Sequence, residues 1–237
     1  MERLIINCDL GEHEAPELTQ ALMARVDAVN ICCGIHAGSR ARTEACLLQA
    51  QAAGRMILAH PGLATAGGRG EAQPTVAEFR SILEQQIMSF LTTAARYAVS
   101  VYGIKLHGTL YHLVEQSVEH LTAYIDFVRQ NCPDLVISAL AGGRCVAHAR
   151  GSGLAAIAEI FFDRAYTVQG SLLSRSESGA VLEPQSAWER YQHWQQTQQM
   201  RAQCGTHFSL VAETICVHGD SPDALAMLDL LRMGSPL

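Results

Sequence analysis

The chain has 237 residues, 49% of them hydrophobic, and a formal net charge of −6. At this length a globular chain buries roughly 70% of its unfolded surface, so a core needs no covalent or metal staples. No apolar run reaches the roughly 18 residues of a membrane span, the dispersed acidic charge disfavours nucleic acid, and MERLIINCDLGE is too short an apolar run for a signal peptide. A cytoplasmic protein is expected. With no repeat, linker or low-complexity segment, residues 1–237 read as one domain.

Strand-like and helix-like segments alternate from end to end. LIINC (4–8) reads as a strand and PELTQALMARV (16–26) as a short helix. DAVNICC (27–33) is a strand, and a helix follows over 39–54, with Ser39 as N-cap and Gly54 just past its end. MILAH (56–60) is a strand, and PGLATAGGRGEAQP (61–74) is a loop long enough to be functional. A long helix over 75–99 opens with a Thr75/Glu78 capping box. VYGIKL (101–106) is a strand, followed by helices near 109–115 and 117–130. A strand (134–140), a helix (143–153) and a strand (154–162) come next. Residues 163–184 are irregular, with SRSESGA as a surface turn. A polar helix spans 185–202, with Trp188, Tyr191 and Trp194 as its buried stripe or a partner contact, the core reading being favoured. The last strand is LVAETICV (210–217) and the last helix 221–233, with Ser221 as N-cap and Pro222 at its first position.

This makes seven strand–helix units. Apolar strands without alternation imply a parallel sheet covered on both faces. No GxGxxG follows the first strand, so a dinucleotide crevice is unsupported. Polar titratable groups recur at strand ends: Asp9, His36, His60, His107, Glu159, Asp163 and His218. A closed barrel gathers such ends onto one face, where parallel barrels do their chemistry. Lys105, the only lysine against sixteen arginines, sits two residues before His107. A lysine can shift its pKa and act as an acid or base where an arginine cannot. The other histidines (His13, His112, His120, His148, His193, His207) read mostly as surface residues. None of the eight cysteines forms a CxxC pair, and most read as small buried apolar groups in a reducing compartment. Cys32 and Cys33, as neighbours on one strand, should face opposite ways.

The motifs INCDLGE (6–12), VNICCGIHAGS (29–39), AHPG (59–62), IKLHGTLYH (104–112), EIFFDRAY (159–166), LLSRSESGA (172–180) and TICVHGDSPDA (214–224) occur in this order. With them the chain resembles the LamB/YcsF family, whose members serve as the A subunit of bacterial 5-oxoprolinase. The resemblance covers nearly the whole chain. It implies a deformed seven-stranded (β/α)7 barrel of the glycoside hydrolase/deacetylase type. It also implies ATP-dependent opening of 5-oxoproline to L-glutamate, in a complex with two carboxyltransferase-like partner subunits. By position it adds Asn7, Glu12, Asn30, Tyr111, Arg164 and Asp220 as substrate-binding residues. The chain departs from the family pattern in HEAP after Glu12, in HAGSR where a carboxylate is replaced by Ser39, in LATAGGRGE after AHPG, and at Leu106 where the family has proline. All lie in loops flanking the expected site and bear on substrate identity more than on fold.

Opening a lactam adds water to an unreactive amide carbon. It needs a base for the water, donors for the developing negative charge and an acid for the leaving nitrogen. Asp9 or Asp163 suits the base, His36, His60, His107 and Lys105 suit donors or acid, and Arg164 suits a bidentate grip on the substrate carboxylate. A divalent metal is the competing use of the same groups, held by Asp9, His36, His60 and His107. His107 and His112, five apart, would lie about 140° around a helix and make a poor ligand pair. No P-loop or kinase signature is present, so ATP use falls to partner subunits. The alternatives are a stand-alone metal-dependent hydrolase of amides or acetylated sugars, and a paralogue that only binds partners.

Overall fold

The computed structural model describes residues 3–65, 68–69 and 73–233. Seven parallel strands close into a barrel: β1 (Ile5–Leu10), β2 (Ala28–Cys32), β3 (Met56–His60), β4 (Gly103–Lys105), β5 (Val136–Leu140), β6 (Ala156–Phe161) and β9 (Thr214–His218). The barrel closes where β9 pairs with both β1 and β6. The expected (β/α)7 barrel is therefore present. An antiparallel pair, β7 (Gln199–Arg201) and β8 (His207–Ser209), lies outside it.

Among the described residues, eight helices surround the barrel: α1 (Pro16–Met23), α2 (Arg40–Ala52), α3 (Val76–Arg96), α4 (Gly108–Gln116), α5 (Val118–Asn131), α6 (Arg144–Gly151), α7 (Pro184–Thr197) and α8 (Ala224–Met233). Local sequence explains several of their ends. Ser39 accepts a hydrogen bond from the Arg42 amide at 3.2 Å and caps α2. Thr75 and Glu78 form the expected capping box of α3. Tyr191 and Trp194 bury the inner stripe of α7 against Phe162.

The structure corrects three readings. The helix expected over 185–202 stops at Thr197, where Gln198 turns left-handed (φ 53°) and leads into the β7–β8 hairpin. A polar run carries no period strong enough to show that break. Ser221 does not cap α8. Its hydroxyl accepts from the Asp223 amide in a turn, and the helix begins at Ala224. Cys33 falls beyond the end of β2, so the expected strand neighbours Cys32 and Cys33 do not share a strand. Residues 66, 67 and 70–72 of the loop after β3 lie outside the described residues.

Why the strands are apolar on one face and polar on the other follows from the register. Asp9 pairs with Asn30 on one side and His218 on the other, and Glu159 pairs with Thr214. Ile6, Cys8 and Leu10 alternate with Asn7 and Asp9 and join the apolar layer under the helices. Asn7, Asp9, Asn30, Lys105, Glu159 and Thr214 are buried. Their mutual hydrogen bonds place them together in the interior, so this barrel has a polar centre inside an apolar wall.

Candidate active site

Lys105 is the centre of the interior network. Its Nζ lies 2.9 Å from Asp9 Oδ1, 3.1 Å from Glu159 Oε1 and 2.9 Å from Cys216 Sγ. Asn30 Nδ2 donates to Asp9 Oδ1 at 2.8 Å and to Asn7 Oδ1 at 2.7 Å. Asn7 Nδ2 donates in turn to Glu159 Oε1 and Thr214 Oγ1. Burial opposes charge on these groups, but Lys105 and then His60 hold the Asp9 carboxyl well below its usual range. Against the same penalty, Asp9 and Glu159 hold the Lys105 ammonium well above its usual range. Lys105 is thus a fixed cation rather than a titrating acid or base. Burial, reinforced by Asp9, pushes the Cys216 thiol up, so it stays protonated.

Beside this network stands an imidazole cluster around Glu12. Glu12 Oε1 lies 3.2 Å from His36 Nε2, 3.2 Å from His107 Nδ1 and 3.9 Å from His60 Nε2. His60 Nδ1 donates to the Lys105 carbonyl at 2.7 Å, and its Nε2 faces His107 Nδ1 at 2.9 Å and Asp9 Oδ2 at 3.5 Å. Burial pushes His107 down to about 4 and lowers His36 as well, so both rings are neutral at pH 7. Burial would raise Glu12, but hydrogen bonds from His107 and His36 hold it well below its usual range. Two glycines make the cluster fit. A Cβ at Gly62 would meet His36 Nδ1 at 2.7 Å, and one at Gly68, whose φ is +72°, would meet His107 Cδ2 at 2.4 Å. Gln86 of α3, buried, fixes this loop by bonding both the amide and the carbonyl of Gly62.

A third group is a carboxylate–histidine pair. His218 Nδ1 lies 2.8 Å from Asp163 Oδ2, and its ring stacks on Phe161 with centroids 5.4 Å apart. Burial would raise Asp163, but His218 holds it below its usual range. The pair fixes one ring nitrogen and leaves the other for chemistry.

All three groups meet one cavity of about 570 Å³. Asp9, His60, Lys105, His107, Phe161 and His218 line its inner end, and Arg69, His112, Gln116, Arg164, Ser174 and Arg175 are among the residues lining the rest. Such a concave site, with convergent polar groups of shifted pKa, is where catalysis is expected.

Motif order and geometry agree with a match of the LamB/YcsF family model to residues 4–234. The chain belongs to the LamB/YcsF family. It is 37% identical to the third of the 5-oxoprolinase A subunits of Pseudomonas syringae pv. tomato, over 98% of this chain and 93% of that one. It is 33% identical to the 5-oxoprolinase A subunit of Limosilactobacillus fermentum, over 98% and 95%. Among solved structures, the lactam utilization protein of Thermus thermophilus superposes with a TM-score of 0.86 at 26% identity, covering 98% of this chain and 96% of that one.

Of the residues singled out from the sequence of this LamB/YcsF chain, Asn7, Asp9, Glu12, Asn30, His36, His60, Lys105, His107, Tyr111, Glu159, Asp163 and His218 fall in or directly behind the cavity wall. Asn7, Asn30 and Glu159 sit behind Asp9 and Lys105 and hold them. Burial and the neighbouring Glu159 push the Tyr111 phenol well above its usual range. Arg164 lines the cavity, yet its guanidinium donates to the carbonyls of Leu173 and Ala180. Asp220 is a rim residue, 2.8 Å from Arg69 and 3.6 Å from Arg175. The carboxylate grouped with His36, His60 and His107 is Glu12 rather than the expected Asp9, which is grouped with Cys216 and His218.

Four residues of the site are not marked by the sequence reading. His112, expected at the surface, faces the cavity, and burial together with Arg164 pushes it down to about 4. His112 and Gln116 are four apart on α4, a helical spacing that signals a shared face. Cys216 alternates with Thr214 and His218 and so shares their inward face, a period-2 signal present in TICVH. Arg175, in the SRSESGA turn, carries no such signal.

Proposed function

We propose that this chain is the subunit of an ATP-dependent 5-oxoprolinase that opens 5-oxoproline to L-glutamate, working with two carboxyltransferase-like partner subunits. The carrying observation is the full-length match to relatives named as A subunits of 5-oxoprolinase. The cavity supplies groups suited to the reaction. His218, oriented by Asp163, serves as base for the attacking water. Lys105 stabilises negative charge developing on the carbonyl oxygen. As the C–N bond breaks, the imidazolium that His218 forms by taking the water's proton gives that proton to the leaving nitrogen, while neutral His107, with His60, lines the site beside it. Asp9 is assigned to holding Lys105 and His60 rather than to the base role that its sequence position suggests. The partners use ATP to phosphorylate the lactam oxygen, releasing ADP, and a second water frees that phosphoryl group as phosphate once the ring has opened.

The test is to combine the purified chain with its partner subunits, ATP and 5-oxoproline and measure glutamate. Glutamate that requires this chain and vanishes in His218→Gln supports the reading. None formed in an assembled complex would refute it.

One observation favours a second reading, a metal-dependent hydrolase. Ligand atoms of Glu12, His36, His60 and His107 all lie within 4.8 Å of one another. The edge of a tetrahedron with zinc-type bonds is about 3.3 Å, close to several of their separations. His60 also has the backbone carbonyl that orients a ligating imidazole. Among the described residues, however, the buried His36 Nδ1 has no hydrogen-bond partner, so this ring lacks that support. A bound divalent ion there would polarise a carbonyl or activate water. Metal analysis of the purified chain decides: a stoichiometric divalent ion, with activity lost to chelator and no ATP requirement, would favour this reading.

A further inference from the structure

The cavity has two ends of unlike chemistry. The inner end holds Asp9, Lys105 and His218, as above. The exposed Gln116, Ser174, Arg175 and Ser176 mark the outer end of the cavity, and the half-buried His112 and buried Arg164 line it as well. Arg164 is 4% exposed, and its hydrogen bonds go to two backbone carbonyls, which are dipoles rather than charges. Among the described residues, no carboxylate comes within ion-pair distance of it. Its chain neighbour Asp163 is turned to His218. The ion-pair partner of Arg175 among the described residues is Asp220, at 3.6 Å, and Asp220 is in closer contact with Arg69. Among the described residues, two guanidiniums, Arg69 and Arg175, therefore share the Asp220 carboxylate, and Arg164 has no ion pair. Arg164 feels the Asp163 carboxylate only at a distance, since that group bonds His218, and a ligand oxyanion would give the buried guanidinium a direct, forked partner.

We propose that the outer end is an oxyanion subsite that takes the substrate carboxylate, with Arg175 and Arg164 as its cations and His112 as a hydrogen-bonding partner. This assignment rests on the lactam reading above. It gives Arg164 a shared role, because its fork is partly spent on Leu173 and Ala180. Arg175, the more loosely held of the two arginines on Asp220, is the one that turns to the ligand. The substrate then lies with its charged group outward and its reacting amide toward Lys105 and His218. His112, neutral because burial and the two arginines push it down to about 4, adds a polar contact without further repulsion.

Titration calorimetry on the purified chain tests this with three probes: 5-oxoproline, 2-pyrrolidinone (the same ring without the carboxylate) and inorganic phosphate. 5-Oxoproline should bind at least about tenfold more tightly than 2-pyrrolidinone. Arg175→Gln should remove most of that difference, leave 2-pyrrolidinone unchanged, and be partly rescued by Arg175→Lys. Arg175 is a rim residue, so an unchanged melting temperature is expected and checks the fold. Equal binding of the two lactams, or no effect of Arg175→Gln, would overturn the subsite while leaving the lactam reading intact. Phosphate binding that is lost in Arg175→Gln, with neither lactam bound, would uphold the oxyanion subsite and remove the lactam reading. Failure of both oxyanions to bind would overturn it.

Discussion

Replacing Lys105 with methionine tests the interior network most directly. The substitution nearly keeps chain length and apolar volume but deletes an ammonium that ion-pairs with Asp9 at 2.9 Å and Glu159 at 3.1 Å. The three side chains are 3%, 8% and 0% exposed, so water cannot replace the lost charge. Asp9 would retain Asn30, with longer contacts to Cys216 and His60, and Glu159 would retain Asn7. Removing one partner of a buried pair typically costs about 3–5 kcal/mol. For a chain of this size each kcal/mol moves the melting point by about 2–4 °C, so Lys105→Met should melt roughly 6–20 °C lower. The added change Glu159→Gln removes one stranded charge and should recover part of the loss. The assay is a double-mutant cycle by urea unfolding, with variants Lys105→Met, Glu159→Gln and both. A loss below about 1 kcal/mol in Lys105→Met, with additive single effects, would refute the claim that these groups compensate one another.

Three further outcomes are expected. Asp163→Asn keeps the shape of the His218 pair but favours the wrong imidazole tautomer, so glutamate formation by the complex should fall about 10²–10⁴-fold with a near-native melting point; unchanged turnover would remove the base assignment. Thermal stability should decline as pH falls from about 6.5 toward 4, because His36, His107 and His112 are neutral in the fold but take protons when unfolded. Asp9, Glu12 and Asp163 have depressed folded-state values, so their contribution is present above the ordinary carboxylate range and is lost below it. A melting temperature flat between pH 7.5 and 5 would contradict neutral buried imidazoles. Finally, Gly68→Ala combines a left-handed backbone with a Cβ placed 2.4 Å from His107, so it should lower kcat through a displaced imidazole; native turnover would show that the loop yields instead.

Much of this arrangement is legible in the sequence because strand residues alternate. Once INCDL and TICVH are read as strands, Asn7 and Asp9 must share a face, as must Thr214, Cys216 and His218. Parallel closure then brings those faces together. What strand ends do not show is phase. Asp9 lies within β1 rather than after it, so it reaches the interior with Lys105 instead of the loop cluster with His36. Glu12 fills that place because the chain turns at Gly11 (φ 79°) and returns the carboxylate toward the imidazoles. No residue pattern sets that turn apart from an ordinary loop. The β7–β8 hairpin and the cavity position of Arg175 are equally hidden, since both depend on how an irregular segment folds back over the barrel mouth.

The polar interior also bears on why the chemistry needs a closed barrel. Asp9, Lys105 and Glu159 are charged groups with almost no contact with water, an arrangement that burial alone disfavours. It persists because strands β1, β2, β4, β6 and β9 each contribute a partner from a different side, so no charge depends on a single neighbour. An open sheet could not surround one ammonium in this way. The same enclosure keeps Lys105 ionised and pointed at one spot before any substrate arrives, which is the preorganisation that oxyanion stabilisation requires. The apolar wall outside, from Ile6, Ile31, Ile104, Ile160 and Ile215 packed under the helices, supplies the burial that lets such a centre stay folded.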